Sequence, residues 1–508
     1  MPSESVAQNM VNHFNVLMRQ ISLIIILINI GSGFALDNGL ARTPPMGWNS
    51  WNCFAHNIDE NKIKEVADAI VSTGLRDAGY IYLNLDDNWM ATSRDGSGNL
   101  QADPTRFPNG MKELGDYIHS KGLKFGIYGD RGTRTCHHLY GGGFGDTQSG
   151  SNGREVQDAK TFASWGVDYL KYDNCEANGA TMQRDYEAMR DALADCGRDI
   201  VYSICAWEFQ PWMPEVGNLW RTTTDILNHW KKEGSDWSWG ILDIVDLNEP
   251  LAYCAKPGAW NDPDMLQVGN FGGDRSPNEN EYRSHMSLWC IMAAPIIMGN
   301  DIRNMNQVTK DILLNREVIA VDQDSAGIQG TRIKSTDGCD VWCKPLGSED
   351  GDIKAVALFN RNGYAGDITV EFSDVGLEGE VLVRDLWSKE DKGIFTGSYT
   401  MSVPSHGTGL LKISKKSTVG KRSYASRTGA AHTEMFSGKI TNGSIIVSSS
   451  DKSLAFEALA YMVDGRLMAR RRGVDGIASL PSGGRGVYLI VIRSNNFVKN
   501  RTITISYN

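Results

Sequence analysis

Short apolar runs recur along the first two thirds of this chain, and most end in polar or acidic residues. They are Pro45–Trp51, Tyr80–Asp87, Lys124–Asp130, Tyr169–Cys175, Ile200–Cys205, Leu219–Ile226, Ala259–Asp264 and Pro295–Met298. Runs of this length without alternation read as strands buried on both faces. Between them lie segments with helical period and helical punctuation. In Ile58–Gly79, Asp59 can cap the start and Gly79 the end; the others are Phe107–Gly122, Arg154–Gly166, Met182–Gly197, Trp237–Tyr253 and Glu279–Ala294. Eight strands alternating with helices predict a (β/α)8 barrel over 36–325, an α/β fold whose active site lies at the carboxyl ends of the strands.

After Ser325 the period changes to two. Asp340–Lys344, Ile353–Phe359, Ile368–Phe372, Glu380–Asp385, Ser398–Val403 and Gly407–Ile413 are short and bounded by Gly, Asp, Asn and Ser, which predicts an antiparallel β-sandwich over 326–414. Residues 415–438 are rich in Ser, Gly and cations and read as a linker. Strand-like pieces return in a small β-rich tail module, 439–508: Ser444–Val447, Leu454–Met462, Gly486–Ile492 and Arg501–Tyr507, with Arg470–Arg472 read as a solvated turn.

The acids at the strand ends carry the chemistry. Asp173 closes Tyr169–Cys175, and Asp225 stands in Leu219–Ile226. Either aspartate alone reads as a helix cap. Two carboxylates delivered by two parallel strands are instead what a retaining glycosidase needs, a nucleophile and a general acid/base about 5 to 5.5 Å apart. Lys171, two residues before Asp173 on the same strand face, supplies a cation expected to depress the nucleophile's pKa. Asp225 must hold a proton, so it needs a drier or more negative setting than Asp173.

Pro45-Met-Gly-Trp-Asn-Ser-Trp51, Asn84-Leu-Asp-Asp87, Lys171-Tyr-Asp173, Trp220-Arg221 to Asp225 and Trp260-Asn-Asp-Pro-Asp-Met265 together resemble glycoside hydrolase family 27, the α-galactosidase and α-N-acetylgalactosaminidase family. The resemblance covers Leu36 to Ser414. It implies that Asp173 is the nucleophile and Asp225 the acid/base, with a galactose-containing oligo- or polysaccharide as partner. Asp86 and Asp87 would bind the 4- and 6-hydroxyls, Lys171 the 3- and 4-hydroxyls, and Trp51 the apolar ring face. Tyr128 would stand near the nucleophile, Arg221 on the 2-hydroxyl side, and Asp264 with Met265 in the wall. Cys136 and Cys175 match a family disulfide beside the substrate.

Two departures bear on specificity and stability. His56 and Asn88 stand where the family usually has a second cystine. Ala206 stands where many α-galactosidases have a glutamate that binds the 2-hydroxyl, which opens the site to a 2-acetamido group. The alternatives to an α-galactosidase are therefore an α-N-acetylgalactosaminidase or β-L-arabinopyranosidase on the same site, or a non-catalytic galactoside binder. Retention of both Asp173 and Asp225 favours an enzyme.

Composition adds limits. The 508 residues are 41% hydrophobic and 22% charged, an ordinary globular balance, and the net charge of -10 argues against nucleic acid. No His/Cys cluster has zinc spacing, and Gly141–Gly145 joins no strand to a helix, so neither metal nor cofactor is implied. Cys339 and Cys343, four apart on a strand, lie too far apart to pair and read as buried free thiols. Residues 1–35 read as a signal peptide: an apolar run, Ile21–Gly31, too short for a stable transmembrane anchor, precedes small residues at Gly33 and Ala35. This implies a secreted or cell-surface protein. The tail weakly resembles sorting domains that deliver proteins to the surface of some Gram-negative bacteria; a small sugar-binding module and a structural appendage are the alternatives. No oligomeric state is implied.

Overall fold

The computed structural model describes residues 36–137, 148–232, 237–273, 275–347 and 351–416, with 436–441, 444–449, 456–462, 467–473, 477–481, 486–493 and 501–507 in the tail. The expected signal peptide, the Gly141–Gly145 loop and most of the expected linker lie outside the described residues.

Eight parallel strands form one sheet: β1 Met46–Asn49, β2 Tyr82–Leu85, β3 Lys124–Asp130, β4 Tyr169–Asp173, β5 Val201–Ile204, β6 Leu219–Arg221, β7 Trp260–Asp262 and β8 Ile296–Met298. They run in the order β7-β6-β5-β4-β3-β2-β1-β8. A parallel bridge from Leu266 to Met298 joins the two ends and closes the barrel. The strands are as buried as their composition demands. β1 and β2 pack closely enough that a Cβ on Gly47 would collide with the Tyr82 carbonyl.

The α-helices longer than one turn are α1 Glu60–Ser72, α2 Gly110–Ser120, α3 Glu155–Ser164, α4 Met182–Ala194, α5 Ile241–Asn248, α6 Glu279–Ile291, α7 Gln307–Leu313 and α8 Arg316–Asp322. Asp59 caps α1 through the Lys62 N–H. The expected Ile58–Gly79 helix is split, because Gly74 takes a φ of 85° and a separate turn, Leu75–Ala78, follows. The segment expected to be helical from Trp237 starts only at Ile241. Asp243 accepts from the Gly240 and Lys232 N–H groups and fixes that start, so Trp237 to Trp239 form an extended loop.

The second layer pair is antiparallel: β9 Thr331–Thr336, β10 Cys339–Pro345, β11 Ile353–Asn360, β12 Gly366–Glu371, β13 Glu380–Asp385, β14 Glu390–Thr396, β15 Ser398–Val403 and β16 Thr408–Lys415. A six-stranded sheet, β14-β13-β16-β11-β10-β9, faces the pair β12-β15 across a core that includes Val356, Leu358, Val370, Val383 and Ile413. Cys339 and Cys343 are free but half-buried rather than buried, on the face of a strand.

The tail is a separate compact unit from Thr418. It contains a three-stranded and a four-stranded sheet, and its core includes Ile445, Val447, Phe456, Leu480 and Ile490. Its first strand, Phe436–Thr441, begins inside the stretch expected as linker. Arg470–Arg472 is not a turn but the end of a strand, Leu467–Arg472. That strand pairs with Glu457–Met462, and its arginines are exposed; Arg470 pairs with Glu457 at 2.6 Å.

Candidate active site

At the carboxyl ends of the barrel strands lies a cavity of about 590 Å³. Trp51, Asp86, Asp87, Tyr128, Cys136, Lys171, Asp173, Cys175, Arg221, Asp225, Asp264 and Met265 line it. Twelve of the thirteen residues expected at the site therefore converge on one space. The thirteenth, Ala206, does not line it and packs in the hydrophobic core, while its neighbours Cys205 and Trp207 face the cavity.

Strand register explains the convergence. Parallel pairing sets Asp130 beside Asp173 and Tyr128 beside Lys171. The period of two then points Lys171 and Asp173 the same way. Lys171 Nζ donates to Asp86 Oδ2 at 2.8 Å, and Asn49 Nδ2 at the end of β1 donates to the same oxygen at 2.7 Å. Buried tryptophans anchor the rim from below. Trp89 donates to the Tyr128 carbonyl at 3.0 Å and Trp289 to the Asp264 carbonyl at 3.0 Å.

Asp173 is buried, accepts from the Asn174 N–H at 2.9 Å, and its Oδ2 lies 3.7 Å from Cys136 Sγ. Cys136 and Cys175 form a disulfide with Cα atoms 5.1 Å apart, tying the loop after β3 to the loop after β4. Burial pushes the Asp173 carboxyl above its usual range. Lys171 pulls it down, as its position suggested, but Asp225 and Asp86 push with burial, so the net direction is opposite to the sequence expectation. Burial also lifts Asp87, which accepts from the His137 and Asn88 N–H groups, to about 7.

Asp225 stands in the opposite kind of place from that expected of an acid. Its side chain is 52% exposed and lies 3.1 Å from Arg221. It is thus the wetter of the two carboxylates. Sequence spacing could not show this, because the guanidinium reaches it from four residues back. Arg221 is itself buried and also holds the buried Asp264 at 2.7 Å. Asp264 accepts from the Ile226 and Met265 N–H groups, at 2.9 and 2.8 Å, so it braces the loop that carries Asp225.

The absent second cystine has a partial substitute. Asn88 Nδ2 donates to the His56 carbonyl at 2.9 Å, and the His56 ring stacks on His137 with centroids 5.1 Å apart. Among the described residues, the grouping of side chains close enough to hold an ion is Asp130 with Cys136 and Cys175, whose sulfurs are already joined to each other.

Sequence reasoning missed several lining or supporting groups. Asn49 lies inside a motif already singled out, and Asp130 ends a run already recognised. Asp130 is fully buried and accepts from the Gly132 and Cys175 N–H groups, at 2.6 and 2.9 Å. Trp237 was hidden by the helical reading of its segment.

A sequence model described as Alpha galactosidase A matches residues 43–324, and one described as Alpha galactosidase C-terminal beta sandwich domain matches 336–413. An α-galactosidase of Cyamopsis tetragonoloba is 45% identical over 76% of this chain and 89% of its own length. The crystal structure of α-galactosidase I from Mortierella vinacea superposes with a TM-score of 0.68 at 38% identity, over 74% of this chain and 98% of that one. A β-L-arabinopyranosidase from Geobacillus stearothermophilus superposes with a TM-score of 0.64 at 28% identity, over 75% and 98%.

Proposed function

Since this chain belongs to the alpha galactosidase A family of hydrolases, we propose that it removes terminal α-D-galactosyl residues from oligo- and polysaccharides with retention of anomeric configuration. The observation that carries this reading is the pair of unlike carboxylates on one cavity, Asp173 buried and Asp225 half-exposed. The buried one suits attack on an enclosed anomeric carbon. The exposed one suits the mouth, where the leaving group departs and water later arrives.

In the first step Asp173 attacks the anomeric carbon while Asp225 gives its proton to the glycosidic oxygen; in the second, Asp225 takes a proton from water, which displaces Asp173. Asp86, Asp87 and Lys171 would hold the sugar hydroxyls through charged hydrogen bonds, which are roughly twice as strong as neutral ones. Trp51 would cover the C–H face, and Tyr128, Arg221, Asp264 and Met265 would complete the wall. Residues 1–35 would serve as a signal peptide for secretion. No helix among the described residues is long and apolar enough to cross a membrane.

A second reading, hydrolysis of α-N-acetylgalactosaminides, draws on Ala206, which offers the cavity no carboxylate. The α-galactoside reading is preferred because relatives with that name match the chain at 45% identity. Two measurements test the proposal. The anomer first released from an aryl α-galactoside, followed by proton NMR, should be α. Asp173→Asn should remain folded and lose turnover by several powers of ten. Release of the β anomer, or activity within tenfold of wild type, would remove Asp173 from the nucleophile's role. A rate comparison with the aryl α-N-acetylgalactosaminide and β-L-arabinopyranoside decides between the sugars.

A further inference from the structure

Trp237 is the one tryptophan among the described residues whose large apolar surface is exposed, at 56%, and it lines the cavity. Large exposed aromatics beside a polar cleft call for a ligand. Its ring packs edge-to-face on Trp207, with centroids 5.1 Å apart and planes at 86°. Trp207 is held with φ at 66°, a left-handed conformation that a residue with a Cβ avoids unless its surroundings impose it. The chain therefore bends after β5 in a way that turns this indole into the cavity.

The backbone ties the aromatic pair to the acid. The Trp237 carbonyl accepts from the Thr224 hydroxyl, and the Trp239 N–H donates to the Asp225 carbonyl at 2.9 Å. The segment continues as a parallel bridge between Ile226 and Trp239. Trp237 is thus registered alongside Thr224 and Asp225, and Trp237 and Asp225 are both about half-exposed, whereas Asp173 is buried.

We propose that Trp237, propped by Trp207, is the platform for the sugar on the leaving-group side of the scissile bond. The inference rests on the α-galactosidase reading, because it takes the buried end of the cavity as the galactosyl site and Asp225 as the proton donor. The group that leaves the anomeric carbon with Asp225's proton would pass over this indole. A pyranose offers it an apolar C–H face, and an aromatic surface binds such a face without dictating a hydroxyl pattern. The platform accordingly selects for a sugar as aglycone and discriminates little between sugars of different stereochemistry.

The test compares two substrates in Trp237→Ala, Trp237→Phe and wild type: melibiose, whose leaving group is a sugar, and α-galactosyl fluoride, whose leaving group is a single atom. In Trp237→Ala, kcat/KM for melibiose should fall roughly tenfold, mostly through KM, while the fluoride changes less than about twofold. Trp237→Phe should recover most of the melibiose rate. An equal loss on both substrates would mean that Trp237 acts by holding the Asp225 loop, and no loss on melibiose would mean that the sugar does not touch it; either overturns the proposal. Failure of wild type to turn over the fluoride would instead sink the α-galactosidase reading, and the platform with it.

Discussion

Arg221 makes two ion pairs with one guanidinium, and the structure predicts that they are unequal. Asp264 is buried beside it at 2.7 Å, whereas Asp225 is 52% exposed at 3.1 Å. Removing one partner of a buried pair costs about 3–5 kcal/mol because the other charge is left uncompensated, whereas an exposed pair contributes about 0–1 kcal/mol. With an unfolding entropy of about 2.1 cal/mol/K per residue, a unit of this size loses about 1 °C in Tm per kcal/mol. Arg221→Met and Asp264→Asn should therefore each lower Tm by about 3–6 °C, and Asp225→Asn by about 1 °C or less.

The double variant Arg221→Met/Asp264→Asn should recover most of that loss. It removes both charges, and the remaining deficit is one of the two hydrogen bonds that Asp264 accepts from Ile226 and Met265, about 1 kcal/mol. Calorimetry on the four proteins gives the coupling directly. Activity should sort differently, with Asp225→Asn inactive on poor leaving groups despite its near-native Tm. Equal Tm losses in Asp225→Asn and Asp264→Asn, or a double variant no more stable than Arg221→Met, would refute the assignment of the buried pair.

Three further outcomes are expected. Asp225→Asn should lose far more activity on alkyl than on activated aryl galactosides, since only poor leaving groups need a proton; equal losses would count against Asp225 as the acid. Burial holds the Asp87 carboxyl at about 7, so it is mostly protonated below that pH and ionised above it. If sugar hydroxyls bind the ionised form, galactose affinity for Asp173→Asn, measured by calorimetry, should weaken by up to about tenfold per pH unit below 7 and level off above it. Asp87→Asn should flatten that dependence, and a flat profile in the parent would refute it. Restoring a cystine with His56→Cys and Asn88→Cys, 32 residues apart, should stabilise by about 3–4 kcal/mol through loop closure. Reductant should abolish the gain, and an unchanged Tm would show that the Asn88 bond already supplies most of the constraint.

The barrel was legible because its strands are buried on both faces, and such runs announce themselves by continuity. The inner strands of the sandwich were legible by alternation. β9 and β14 were not, because they are the two edges of the six-stranded sheet. Their side chains are largely exposed, as in Ile333–Thr336 and Glu390–Asp391, so no alternation marks them. The charged site residues could be placed from motifs, since all but Lys171, in the middle of β4, sit at or just beyond a strand end. Their environments could not. Asp173 is governed by burial more than by Lys171, and Asp225 by a guanidinium and by solvent. Ala206 and Trp207 show the same limit at a finer scale, since Trp207, a left-handed residue, lines the cavity and Ala206 does not.

That left-handed residue has counterparts around the rim. Asn88 after β2, Glu176 after β4, Trp207 after β5 and Asp264 after β7 all have positive φ, at 71°, 41°, 66° and 77°. Each such residue costs of order 1–3 kcal/mol and persists only where its surroundings over-determine it. Here the surroundings are identifiable. Asn88 bonds to His56, Glu176 pairs with Arg134, Trp207 packs on Trp237, and Asp264 is held by Arg221 and two N–H groups. A strand alone points its side chains up or down at a period of two, which cannot surround a sugar ring. Reversing the backbone at the strand ends lets adjacent loops turn side chains inward, and the local bonds that hold those reversals also hold the site in shape before substrate arrives.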